Sequence, residues 1–258
     1  MPVDDRDQSR RSGPWDPPPP RAPVAPPRVA APKWRLSWSA IIFMLLLLGV
    51  GIRAFRDLSQ PDAFGYWKDQ YFSPSLTATL IPNADLNGAG RGRPALVIRG
   101  TIGPAGASWL RAQLDEAHLV AGDIVLMSSP GGELGQAMIM GEIIRARGLA
   151  TAVGTADESG RVRPAHCASA CVFVFAGGKP RYGVEGSPLG VHRFTTTAPA
   201  SDAVADAQRT TGMVLGYMTK MGVSSSVVEA MSQTGEIRWL GPKDALAMNL
   251  VTDPLGKP

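Results

Sequence analysis

The chain has 258 residues, enough for one mid-sized domain with appendages, and a bulk composition (44% hydrophobic, 19% charged) that places it among ordinary globular proteins. Its net charge of +4 does not mark a nucleic-acid binder: Arg10, Arg11, Arg21, Arg28, Lys33 and Arg35 crowd the N-terminal tail, and no basic stripe follows in the folded region. A nucleic-acid partner is therefore excluded from the reading.

Residues 1–35, centred on PWDPPPPRAPVAPPRVAAP, cannot bury enough apolar surface to offset chain entropy and predict a disordered or polyproline-like tail. Leu36 to Ile52 reads LSWSAIIFMLLLLGVGI, uncharged between Arg35 and Arg53 and flanked by Trp34, Trp38 and Phe55. This predicts a transmembrane signal anchor over residues 36–55, near the lower length limit for a span. No small-x-small cleavage site follows the apolar core, which argues against a removed signal peptide. The excess of Arg and Lys before the span places the tail in the cytoplasm and everything after Arg53 outside it, which in a bacterium means the inner membrane and the periplasm. Residues 56–93 carry Phe64, Tyr66, Trp67, Tyr71 and Phe72 and then a loop-like NADLNGAGRGRP; they read as a juxtamembrane connector that partly packs on the domain.

The domain proper is read as residues 94–258. ALVIRG predicts a strand, GASWLRAQLDEAHL an amphipathic helix, DIVLMSS a second strand running into PGG, and LATAVG a third after a helix of about fifteen residues that opens on the glycines. Strand, helix and strand in alternation argue for an α/β unit with a parallel sheet. TADESGRVRPAH reads as a loop or hairpin, ACVFVFAGG as a buried helix, and the C-terminal part as helices over 201–221 and near 224–232, a short IRWL strand and a helix at PKDALAMNL.

Ser169 lies between small residues immediately before the ACVFVFAGG run, where unpaired helical N–H groups favour a developing negative charge. Serine is also a common helix cap. Ser129-Pro130-Gly131-Gly132 ends a strand before a helix and offers backbone N–H groups that no side chain obstructs, as an oxyanion requires; a plain strand-to-helix turn favours the same residues. His192, 23 residues after Ser169 in VHRF, stands between apolar residues at a strand end and is positioned to act as base. His118 reads as solvated, and His166 as a substrate-binding or capping residue.

Taken together, SPGG before a helix, small-small-Ser before an apolar helix ending in AGG, and a histidine after a proline-containing turn resemble the Clp protease proteolytic subunit, and more loosely the crotonases and signal peptide peptidase A. The resemblance runs from about Pro94 to Asp253 and closes on WLGPKDALAMNLVTD. It implies an α/β domain of repeated β-β-α units, an acyl-enzyme on Ser169 with His192 as general base, and an oxyanion site from the N–H groups of Gly132 and Ala170 beside a substrate-binding Gly131. It further implies a peptide or protein substrate, a homo-oligomer, and no cofactor or metal. The family's third acid falls at Ile237 in this sequence; Glu236, one position away, is the chosen substitute, with Asp202, Asp206, Asp244 and a dyad without an acid as alternatives.

Cys167 and Cys171 bracket the serine. A disulfide and a pair of buried small hydrophobes both remain open, because an i, i+4 pair on a regular helix rarely meets bridge geometry unless one member lies in the preceding turn. The function expected is that of a membrane-anchored extracytoplasmic serine hydrolase, the alternative being a catalytically weak binding or scaffold module.

Overall fold

The computed structural model describes residues 37–59, 63–88, 90, 92–194 and 202–255, so the predicted tail lies outside the described residues. The chain divides into two compact units, residues 1–51 and 52–258. Helix α1 (Trp38–Leu58) begins in the first and ends in the second. It is long and apolar enough to cross a membrane, and none of its residues is buried.

The second unit is a mixed α/β domain. After α2 (Ala63–Trp67) and a π-helical turn (Lys68–Phe72) come β1 (Leu76–Ala84), β2 (Arg93–Gly100), α3 (Gly106–Ala117), β3 (Ile124–Ser128), α4 (Leu134–Ala146) and β4 (Ala150–Val153). A small hairpin, β5 (Thr155–Ala156) with β6 (Val162–Arg163), precedes β7 (Cys167–Ala168) and the six-residue α5 (Cys171–Ala176). The chain closes with β8 (Arg181–Val184), β9 (Leu189–Val191), α6 (Ala203–Lys220), α7 (Ser226–Ser232), β10 (Arg238–Leu240), α8 (Pro242–Ala247) and β11 (Asp253–Leu255).

The main sheet runs β1-β2-β3-β4-β8-β11 and is parallel throughout except for β1, which pairs antiparallel with β2. Its central strands read as unbroken apolar runs because both faces are covered. Alternation sends Leu96, Ile98, Val125 and Met127 into the core beneath the helices, and Ala95, Val97, Ile124 and Leu126 into a smaller core on the opposite face. Arg181 crosses the larger core as a strut. Its guanidinium donates to the carbonyls of Leu250 (2.8 Å), Asn249 (2.7 Å) and Met221 (3.1 Å), and burial lowers its pKa to about 10.

One boundary differs from the sequence reading. The connector 56–93 is not a mere linker, since Leu76–Ala84 forms an edge strand of the main sheet and the domain therefore begins before residue 94. The segment before it is tied down as well: the buried Asp69 carboxylate accepts from the N–H groups of Ser75 (2.8 Å) and Ala105 (3.0 Å). The polar stretch after β4 is a hairpin, held by Asp157, whose exposed carboxylate lies below its usual range because the Ser159 hydroxyl donates to it at 2.5 Å.

A second sheet, β10-β9-β7, joins the main one where Ser129, just beyond β3, pairs with Cys167. That junction carries the residues singled out from the sequence.

Candidate active site

Ser169 sits between β7 and α5 with φ +56°, in the left-handed region that costs a non-glycine residue about 1–2 kcal/mol. The strand side of the turn is fixed by three backbone bonds: Cys167 N–H to Pro188 O (3.2 Å), Ala168 N–H to Ser129 O (3.0 Å) and Ser169 N–H to Gly190 O (2.9 Å). On the helix side Val172 N–H returns to Ser169 O at 3.1 Å. A disulfide between Cys167 and Cys171, Cα atoms 5.4 Å apart, bridges the two sides, so the cysteines are paired. Their spacing is reachable because Cys167 is in a strand and only Cys171 is helical.

The PGG turn packs directly on this serine. A methyl group built on Gly131 would stand 2.7 Å from Ser169 Cβ and 2.9 Å from Ala170 N, and Gly131 has φ +108°, so no other residue fits there. Gly131 N–H is taken up by Ser129 Oγ (3.1 Å) and its carbonyl by Ile102 N–H (2.7 Å). Glu133 N–H donates to Ile102 O (2.8 Å). Between them, Gly132 N–H has no hydrogen-bond partner among the described residues, and neither has Ala170 N–H on the other side of Ser169. These are the two donors expected from the sequence. Since α5 has only six residues, the two N–H groups themselves, rather than a long helix dipole, are what the turn offers an anion.

His192 follows β9 directly, and β9 runs parallel to β7 with Ala168 opposite Gly190. That register ends one residue before Ser169 and two before His192, so the serine and the histidine follow neighbouring strand ends. No hydrogen bond joins Ser169 Oγ to His192 among the described residues. The half-buried imidazole places Nδ1 2.7 Å from the carbonyl oxygen of Arg193. A carbonyl only accepts, so Nδ1 carries the proton and Nε2 is left as the acceptor, the tautomer a general base needs.

No hydrogen bond joins Glu236 to His192 among the described residues. Glu236 is exposed, Thr234 Oγ1 closes a local turn with its backbone N–H (3.1 Å) and carbonyl (2.9 Å), and its carboxylate has no partner among the described residues. Strand β10 pairs antiparallel with β9, Arg238 opposite Val191, and one further step sets Ile237 opposite His192. The alternative acids are engaged or distant: Asp202 caps α6 through Ala205 N–H (3.0 Å), Asp206 pairs with Arg209 at 2.5 Å, and Asp244 lies in the first turn of α8. What sequence reasoning missed is the Arg193 carbonyl, which leaves no mark on a side-chain pattern.

His166 is exposed, its ring centroid 6.0 Å from that of Trp239 in an edge-on arrangement, and His118 ends α3 in the left-handed region on the surface. Among the described residues no cluster of three or more His, Cys, Asp or Glu side chains forms a metal site. Compared with models of known protein families and with curated proteins, the chain matches none.

Proposed function

We propose that the protein is a membrane-anchored serine hydrolase, with a Clp- and crotonase-like domain outside the cytoplasm that cleaves peptide or protein substrates through an acyl-enzyme on Ser169. The observation that carries this reading is the left-handed Ser169 turn, packed on Gly131 with the unpartnered N–H groups of Gly132 and Ala170 on either side. Preorganised donors of this kind stabilise the oxyanion of a tetrahedral intermediate. In the proposed reaction Nε2 of His192 takes the Ser169 proton as Oγ attacks the carbonyl carbon, then returns it to the leaving amine; water reverses the sequence to free the acid. The Arg193 carbonyl holds the imidazole in the required tautomer, a role an aspartate fills in the usual triad.

The apolar helix α1 behind a basic tail supports an anchor with the domain on the far side, and the paired cysteines accord with an oxidising compartment. A second reading, a binding or scaffold module of low activity, is favoured by one observation: among the described residues no carboxylate bonds to His192, and a carbonyl stabilises the imidazolium less than an anion does. A fluorophosphonate probe on the full-length protein separates the two. Labelling at Ser169, absent in Ser169→Ala, supports the hydrolase; a wild-type protein that is never labelled there sinks it.

A further inference from the structure

Large aromatic side chains are concentrated on one stretch of surface immediately after α1. Within nine residues Phe64, Trp67, Tyr71 and Phe72 are 76%, 45%, 64% and 83% exposed, and Trp67 stacks on Tyr71 with ring centroids 5.1 Å apart. Single exposed apolar residues are ordinary, whereas a contiguous set marks a surface with a partner. The segment is not loosely attached. Its inner side is fixed to the domain by Asp69, which accepts two backbone N–H groups, and by Tyr66, whose hydroxyl lies 3.2 Å from Ser108 Oγ.

Chain connectivity limits what that partner is. Only residues 59–62 separate Leu58, the last residue of α1, from Ala63, so five Cα steps hold the start of the aromatic segment within about 18 Å of the helix end. The uncharged part of α1, Trp38 to Ile52, extends about 22 Å, most of the hydrocarbon thickness of a bilayer, and Arg53 and Arg56 beyond it suit the headgroup layer. Trp and Tyr, with an apolar ring and a polar atom, favour that same layer, and the exposed Lys68 beside them complements anionic headgroups.

We infer that the Phe64, Trp67, Tyr71 and Phe72 surface docks on the headgroup region of the lipid bilayer and fixes the orientation of the domain above it. This rests on the anchor reading of α1. The docked surface belongs to the folded domain, so it restrains the domain in a way a flexible tether does not.

Site-directed spin labelling of the full-length protein tests it, in vesicles of phosphatidylethanolamine and phosphatidylglycerol. Single labels are introduced by Phe64→Cys and Phe72→Cys, with Leu47→Cys as the bilayer reference and Val120→Cys, on the exposed surface, as the water reference. The native cysteines are paired and leave the introduced thiols as the reactive ones. Collision rates with oxygen and with a water-soluble nickel chelate should shift at positions 64 and 72 away from the value at 120 and toward that at 47. Wet labels at 64 and 72, with position 47 in the bilayer, overturn the docking and leave the anchor intact. Immobile labels shielded from both reagents overturn it in favour of a second copy on this face. A wet label at 47 overturns the anchor reading and the docking with it.

Discussion

The strand ends that carry Ser169 and His192 are neighbours, yet they are built to different standards. The Ser169 turn is fixed from every side, by backbone bonds to β3 and β9, by a disulfide across it and by a glycine packed where no side chain fits. The His192 backbone is held beyond β9 by Arg193 N–H to Thr234 O (2.8 Å), but its half-buried imidazole makes one hydrogen bond among the described residues, to the carbonyl of its own neighbour. On the proposed reading, rigidity falls on the nucleophile and the oxyanion donors, where positional error costs most. The base is left with a local partner, which sets its tautomer but adds no negative charge.

If the difference is functional, damage to the turn that holds the serine should be costlier than damage to the residues around the histidine. Ser169→Ala should abolish probe labelling and lower hydrolysis by about 10³-fold or more, with the unfolding midpoint unchanged. Gly131→Ala should come next. Its φ of +108° and the 2.7 Å approach to Ser169 Cβ require the turn to shift, at about 2–4 kcal/mol of stability by chemical denaturation and roughly 10²-fold in labelling rate. A Gly131→Ala protein that labels like wild type would mean the turn is not the positioned element described here.

Much of this region was legible in the sequence because its residues have few substitutes. PGG before a helix, a serine among small residues and a histidine at a strand end are local signals, and the buried strands announced themselves as continuous apolar runs. Strand β1 was not legible. Pro82 interrupts LTATLIPNA, which a sequence reading takes as evidence against a strand, but β1 is an edge strand whose register shifts between Ile81 and Ala84, and there proline is tolerated. Strand β8 was hidden for another reason. RYGV is short and contains a glycine, and its assignment depends on Thr151, Ala152 and β11 lying alongside. Which residue faces His192 was not legible either, because register belongs to the paired strands and not to position along the chain.

The disulfide offers a finer test of the same asymmetry. A bridge closing so short a loop removes little entropy from the unfolded chain, about 2 kcal/mol, so its main effect should be local. The double variant Cys167→Ala, Cys171→Ala should lose about that much stability. Labelling of Ser169 should slow by roughly tenfold to 10²-fold as Ala170 N–H loses its fixed position, with kcat reduced more than KM is raised. Faster amide hydrogen exchange at residues 169–172 checks the structural half separately. Unchanged exchange would show that the backbone bonds hold the turn without the bridge.

The smallest effects belong to the histidine side, and they bear most directly on the missing acid. Glu236→Gln should leave kcat/KM within about twofold, as for a surface substitution, because the carboxylate touches nothing among the described residues and its backbone is held by Thr234. A loss of tenfold or more would show that the loop moves during turnover and that Glu236 serves the base after all. Ile237→Glu makes the complementary change. The β9–β10 register places this side chain opposite His192, and Ile237 is already exposed, so a carboxylate enters without burial. A negative charge beside the imidazole stabilises its protonated form, and an increase in kcat of up to about tenfold is expected. A gain in Ile237→Glu together with silence in Glu236→Gln would establish that the Arg193 carbonyl stands where the acid is missing and that register alone kept Glu236 from the role.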